Sequence, residues 1–311
     1  MKRIIRLISA IIVIALATGC GSASSEAEPE LPTTIPPLTD YSQVDLPLQR
    51  YVLTPQEVAL YDNAVTVLAN DCAKRFGITD SPYIPNLTPM PNEAVLFDGR
   101  YGTVIDPEKA LQFGVAGDPA DRAGSMMVDD EKGSGPSIGS SRDPTEFEYE
   151  VFHGVAPSGD PATVTDEAGD PVPPGGCLQE GALELFDGTT DYYRTQVLLI
   201  SGGLGESRDQ IMVDSRYVSA LAQWSECMSE VGYDVADLHE MGDFEVAEGD
   251  AGRQATFESV SCGQEVNLYG TWYALDQAYQ QRFIDERAAE FETAQREVLA
   301  ALERSREILG Q

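Results

Sequence analysis

SRYVSALAQWSECMSEVG, residues 215 to 232, sets apolar side chains at Val218, Leu221, Trp224, Met228 and Val231. Steps of three and four put these on one face of an α-helix, because about 3.6 residues complete a turn and the Ser, Gln and Glu positions fall on the other side. Gly232 then stops the helix, since a residue without a Cβ enters the left-handed conformation at little cost. Cys227 lies five residues before that Gly, and ANDCAKRFGIT (69 to 79) repeats the spacing with Cys72 and Gly77. The pattern predicts one helix-end device used twice. Three or four matching positions are too few to establish an internal duplication.

Helical signals extend along most of the chain. Thr54 is a helix cap, Pro55 suits the first helical position, Glu57 completes a capping box, and Val58, Tyr61, Val65, Leu68 and Cys72 keep the helical step. Asp106-Pro107 starts a shorter run that stops near Gly114, and CLQEGALELF from Cys177 reads as helix. YYRTQVLLISGG (192 to 203) suits either a strand or a buried helix, and its helical surroundings favour helix. From Gln254 to Leu309, residues Val266, Tyr269, Trp272, Leu275, Tyr279, Phe283, Phe291, Val298 and Leu302 keep helical steps, with Gly270 as the marked stop. Unbroken, that run would span about 80 Å, wider than one core. Either Gly270 breaks it or the last turns project as an arm, whose Glu292 and Arg296 pair at helical spacing on an exposed surface.

The chain opens with Lys2, Arg3 and Arg6, runs LISAIIVIALAT without a charge, and reaches Gly19-Cys20, the order of an export signal over residues 1–19. The apolar run is too short to span a bilayer. Ala17-Thr18-Gly19-Cys20 reads as a lipobox, in which the Cys20 thiol is acylated and becomes the first residue of the mature chain. Removing three signal cations from 20 leaves 17 basic against 52 acidic residues, a formal charge of −35. Nucleic acid is excluded as a partner by that charge, because its binding requires neutralised phosphates. Anionic headgroups are repelled as well, so the body is expected to stand off the membrane. Residues 20–45, rich in Ser, Pro, Thr and Glu, are expected to form a disordered tether. Residues 46–311 then form a single mainly helical domain.

Cys72, Cys177, Cys227 and Cys262 remain, an even number in an exported chain, which points to two disulfides. Of the three connectivities, Cys227 with Cys262 is favoured, because both lie on helical stretches joined by the acidic loop DVADLHEMGDFEVAEGD. Cys72 then pairs with Cys177.

Residues 117–176 are crowded with Gly, Pro, Ser and Asp around one apolar island, EFEYEVF, and read as an irregular insertion with room for a strand or short hairpin. Gly135-Pro136-Ser137-Ile138-Gly139 has the spacing of a nucleophile elbow, but that turn needs an apolar strand before it and a helix after it. VDDEKGS and SSRDP stand there instead, so the match is read as coincidence. VLLISGGLGESR lacks the GK[ST] ending of a phosphate loop. Asp129-Asp130-Glu131, and Asp166-Glu167 with Asp170, offer oxygens suited to calcium without EF-hand spacing, and read as solvated loops. His153 and His239, the two histidines of the chain, read as surface residues. No metal site, cofactor or catalytic residue is expected. Trp224 and Trp272 are expected to pack around the Cys227–Cys262 link, while Tyr269, Trp272, Tyr273 and Tyr279 leave an aromatic groove in view.

The succession of lipobox, CAKRFG, RYG, GGC, WSECMSEVGY and a Cys leading into a long C-terminal helix resembles a group of exported lipoproteins from high-GC Gram-positive bacteria. The resemblance implies a lipidated envelope protein and supplies no activity. The expected architecture is mainly α, a disulfide-linked antiparallel helical domain with a long C-terminal helix and an irregular insertion. The expected function is binding: a lipoprotein anchored through Cys20 on the outer face of the cytoplasmic membrane, engaging an envelope protein or cell-wall ligand. The rival is a wall hydrolase that uses a carboxylate pair.

Overall fold

The computed structural model describes residues 27–86, 101, 104–117, 139–188, 192–247 and 249–311. Among them are ten α-helices: α1 (Pro55–Ala73), α2 (Pro107–Phe113), α3 (Glu146–His153), α4 (Gly176–Glu184), α5 (Tyr192–Val213), α6 (Ser215–Glu230), α7 (Leu238–Glu245), α8 (Asp250–Glu265), α9 (Leu268–Glu286) and α10 (Ala288–Leu309). Two short strands, β1 (Tyr83–Ile84) and β2 (Gly139–Ser140), pair antiparallel with Tyr83 opposite Ser140. No helix among the described residues is long and apolar enough to cross a membrane.

Each disulfide lies in its own apolar cluster. Cys72 joins Cys177 with Cα atoms 5.6 Å apart, among Ala69, Phe76, Ile78, Val151 and Phe152. It links α1 to α4, which run antiparallel so closely that a Cβ on Gly181 would lie 3.0 Å from the Val65 carbonyl oxygen. Cys227 joins Cys262 at 5.7 Å, beside the larger cluster of Trp224, Met228, Met241, Val260, Leu268 and Leu275. Trp224 Nε1 donates to the Ser259 carbonyl oxygen at 3.0 Å. Residues 224 and 227 thus meet 259 and 262, so α6 and α8 advance together where they cross.

The helix-end device is the same in both segments. Gly77 has φ 79° and Gly232 has φ 102°. The amide after each Gly bonds the carbonyl of the residue after each Cys: Ile78 N to Ala73 O at 3.2 Å and Tyr233 N to Met228 O at 2.9 Å. This six-to-one closure satisfies a carbonyl that the helix end would leave open.

Several details differ from the sequence reading. EFEYEVF is not a strand or hairpin but helix α3, started by a capping box between Thr145 and Glu148. Among the described residues, the insertion's β-structure is β2 together with the isolated bridges Val155–Pro161 and Thr165–Pro171. The buried face of α6 is Tyr217, Ala220, Trp224 and Met228, while Val218 and Val231 are exposed. The acidic loop before Cys262 contains α7, and Cys262 sits near the far end of α8. The long C-terminal run breaks at Asn267, which has φ 53°, and at Arg287, not at Gly270. Gly270 lies inside α9, where a Cβ would come within 2.4 Å of the Pro36 carbonyl oxygen. Nor do the last turns project as an arm: Phe291, Ala294, Val298, Ala301 and Leu302 of α10 are buried, and Arg296 bonds Glu297 at 3.2 Å.

The largest correction concerns the tether. From Ala27 onward the chain is a strap laid along α8 and α9, with Leu38, Leu46 and Leu48 buried. Asn267 Nδ2 donates to Ile35 O at 3.0 Å, Gln264 Nε2 to Leu38 O at 2.8 Å and Tyr273 Oη to Gln43 O at 3.2 Å. Further on, Leu48 N donates to Gln280 Oε1 at 3.2 Å. Gln280 Nε2 in turn donates to the fully buried Asp276 at 3.1 Å, which also accepts from Tyr101 Oη at 3.0 Å. The folded unit therefore includes residues 27–45 and does not begin at 46.

Removing the Cys227–Cys262 pair, a separation of 35 residues, should cost about 4 kcal/mol, and removing Cys72–Cys177, a separation of 105, about 5 kcal/mol, read from denaturant unfolding of the double Ala variants. Losses below about 1 kcal/mol would mean that packing alone holds these helices. Gly270→Ala should push the strap off α9, making residues 27–45 sensitive to protease while the far-UV helix signal persists. Unchanged protease resistance would show that the strap does not depend on this close approach.

Candidate functional site

Cys20, Asp129-Asp130-Glu131 and most of the Gly135–Gly139 segment lie outside the described residues; Gly139 itself begins β2. Asp166 accepts from the amides of Ala168 and Asp170, both at 2.9 Å, so it closes a turn. Among the described residues no three His, Cys, Asp or Glu side chains group as metal ligands. Trp224 and Trp272 are both buried; Trp272 packs edge-on against Tyr101 and Tyr217 at 5.5 and 5.3 Å between ring centroids. They form core around the disulfide and no open platform. His239 is an exposed residue in the first turn of α7.

His153 is not a plain surface residue. Its Nε2 is 2.9 Å from Tyr83 Oη and its ring stacks on Tyr149 with centroids 4.2 Å apart. Burial holds the imidazole below its ordinary value, and it raises Tyr83, with the charges of Tyr149 and Glu148 adding to that. On the next turn of α3, Glu148 accepts from Arg142 Nη1 at 2.8 Å, from Arg142 Nη2, and from Thr145 N and Oγ1 at 2.8 and 2.9 Å. Those bonds, the Arg142 pair first, draw its carboxyl down to about 2 against the opposing effect of burial. With four donors on its two oxygens and a strongly acidic carboxyl, Glu148 is a structural anchor and not a proton acceptor. Glu245, at the end of α7, shows the opposite behaviour: burial pushes it up and the Ser259 hydroxyl pulls it partly back.

The densest polar constellation is a clamp where α5 turns into α6. Asp214, the cap of α6, is buried between the two helices. It accepts from Arg216 N and Nε at 2.9 Å, from Arg216 Nη2 at 2.6 Å and from Tyr279 Oη at 2.8 Å. Burial works to raise this carboxyl, but the Arg216 bonds and the Tyr279 hydroxyl together outweigh it and leave it lowered. Arg216, fixed by Asp214, donates through Nη1 to Pro29 O at 2.7 Å. The Glu28 carboxylate accepts from Ser215 N and Oγ at 2.8 and 2.9 Å, and Arg282 donates to Ala27 O at 2.8 Å. The clamp thus grips three consecutive residues of the strap. Sequence reasoning missed it because its partners are 187 or more residues apart in the chain.

Beside the clamp, Glu206, Ser207, Gln210 and Arg282 line a recess of about 10 Å³, room for roughly one water. A second depression, about 420 Å³, runs along the outer stripe of α10 past Glu292, Gln295, Arg296, Leu299, Ala300 and Glu303. Its size is that of a ligand site, but its lining is one helix face mixing charges with Leu299, which suits a partner's side chains better than an enclosed small molecule.

The Glu148 carboxyl titrates near 2 when folded and ordinarily at 4.5. Its contribution is therefore complete above about 4.5 and is lost as the pH falls toward about 2. The stability gap between wild type and Glu148→Gln should be widest near neutrality and close across that window. A gap independent of pH would refute the assignment. No protein-family model, curated protein or solved structure matches the chain.

Proposed function

We propose that the chain is a lipoprotein held on the outer face of the cytoplasmic membrane by acyl groups on Cys20, and that its helical body is a non-enzymatic binding module of the cell envelope. One observation carries this reading: of five cysteines, four are joined to one another, so Cys20 is left without a disulfide partner in the chain, immediately after the small residues of an export signal. Disulfides persist in oxidising compartments, which agrees with export. The likeness to exported lipoproteins of high-GC Gram-positive bacteria supports the same reading. The outer stripe of α10 is the surface offered to an envelope protein or wall polymer.

The rival reading, a wall hydrolase, draws support from Glu245, a carboxyl held above its ordinary value as a general acid requires. Ser259 bonds it, and its own charge acts on the buried Tyr269; neither neighbour is a second carboxylate.

Cell fractionation tests the anchor: the wild type should sediment with membranes and Cys20→Ala should not, whereas a variant that still sediments would refute lipidation. Incubation of the unlipidated protein with purified cell wall tests the role of the body. Intact wall after incubation supports binding. Soluble wall fragments that disappear with Glu245→Gln would establish the hydrolase instead.

A further inference from the structure

The proposed anchor and the strap together restrict which face of the molecule can meet the bilayer. Cys20 to Ala27 is seven residue steps, and a fully extended chain covers at most about 25 Å in that distance. Ala27, Glu28 and Pro29 are pinned at the α5–α6 corner by Arg282, Ser215 and Arg216. That corner therefore stays within about 25 Å of an acylated Cys20, whatever path the intervening residues take. Helix α5, with 22 residues, is about 33 Å long. Its far end reaches the lipid only when α5 lies along the bilayer, or points toward it with the tether drawn out.

The corner also differs from the rest of the surface in character. Val213 is 77% exposed, Val218 49% and Met212 37%, and the three flank the buried Asp214. The four charged groups that hold the strap, Glu28 and Asp214 against Arg216 and Arg282, cancel, and at the adjoining recess Arg287 offsets one of Glu206 and Glu286, whereas the mature chain as a whole carries 17 basic against 52 acidic residues. Repulsion from anionic headgroups is least where such groups cancel, and apolar side chains gain by entering the headgroup boundary. We propose that the α5–α6 corner, with Met212, Val213 and Val218 beside the clamped strap, is the face of this protein that rests on the lipid surface. The proposal rests on the lipid-anchor reading.

Leu198 provides the control, because it is equally apolar, 64% exposed and on the same helix, but lies 15 residues before Val213, about 22 Å along the axis. Once Cys20 is acylated and the other cysteines are paired, Val213→Cys, Val218→Cys or Leu198→Cys introduces one reactive thiol for an environment-sensitive fluorophore. Each lipidated full-length variant is reconstituted into mixed phosphatidylcholine and phosphatidylglycerol vesicles containing nitroxide-labelled lipid. The labels at 213 and 218 should lose about half or more of their emission, and the label at 198 less than about a tenth. Equal quenching at 198 would mean that the molecule lies flat and would overturn the inference. Absence of quenching at all three sites in protein that floats with the vesicles would overturn it and leave the anchor standing. Protein that does not float, with Cys20→Ala behaving identically, would remove the anchor and the inference together.

Discussion

The fold depends on how a carboxylate without access to water is satisfied. Asp276 lies at the centre of α9, fully buried, with Tyr101 and Gln280 as its hydrogen-bond partners. A buried carboxyl group is costly unless its oxygens are hydrogen-bonded, so these partners must be in place whenever the core closes. Gln280 has an oxygen left over, and this accepts from Leu48 N. One polar network thus binds the strap, the segment at Tyr101 and the central helix into a single arrangement, and the apolar clusters on either side follow. Asp214 repeats the principle at the end of α6, where Arg216 and Tyr279 compensate its burial and the strap is the beneficiary.

The strap is held by an unusual division of labour. Pro29, Pro32, Pro36 and Pro37 have no amide hydrogen to donate. Between Ile35 and Asp45 the strap offers chiefly carbonyl oxygen, and the groups that meet it are the amides and hydroxyl of Gln264, Asn267, Tyr273 and Gln277. Proline also restricts the chain before it docks, so less entropy is lost on ordering. A segment rich in Pro, Thr and Glu can therefore be part of a folded body without an apolar pattern of its own.

That is why the strap was illegible in the sequence while much of the rest was not. Composition alone classed residues 20–45 as tether, because the partners that order them are polar and more than 200 residues away. Local chemistry was readable: the Thr54 and Glu57 capping box, the paired Cys-to-Gly helix ends and both disulfides follow from short-range patterns or from parity. The α3 capping box was equally present in Thr145 and Glu148 but was masked by surrounding Gly and Pro. The buried face of α6 was placed one residue off, because 217, 220, 224, 228 and 218, 221, 224, 228 are both sound helical stripes through Trp224, and only packing chooses between them. The break at Asn267 gave no warning, since a left-handed Asn carries a far weaker signal than Gly. Of the site, the clamp was invisible for the same reason as the strap.

The strap also sets an order of events. Gln264, Asn267, Tyr273 and Arg282 belong to the last fifth of the chain, while the carbonyls they hold are among the first described residues. A polypeptide that emerges N-terminus first cannot close those contacts until nearly all of it has appeared. Until then the carbonyls of residues 27–45 have no partners to dock on. Docking of the first described residues therefore belongs to the last step of assembly, however early those residues are made.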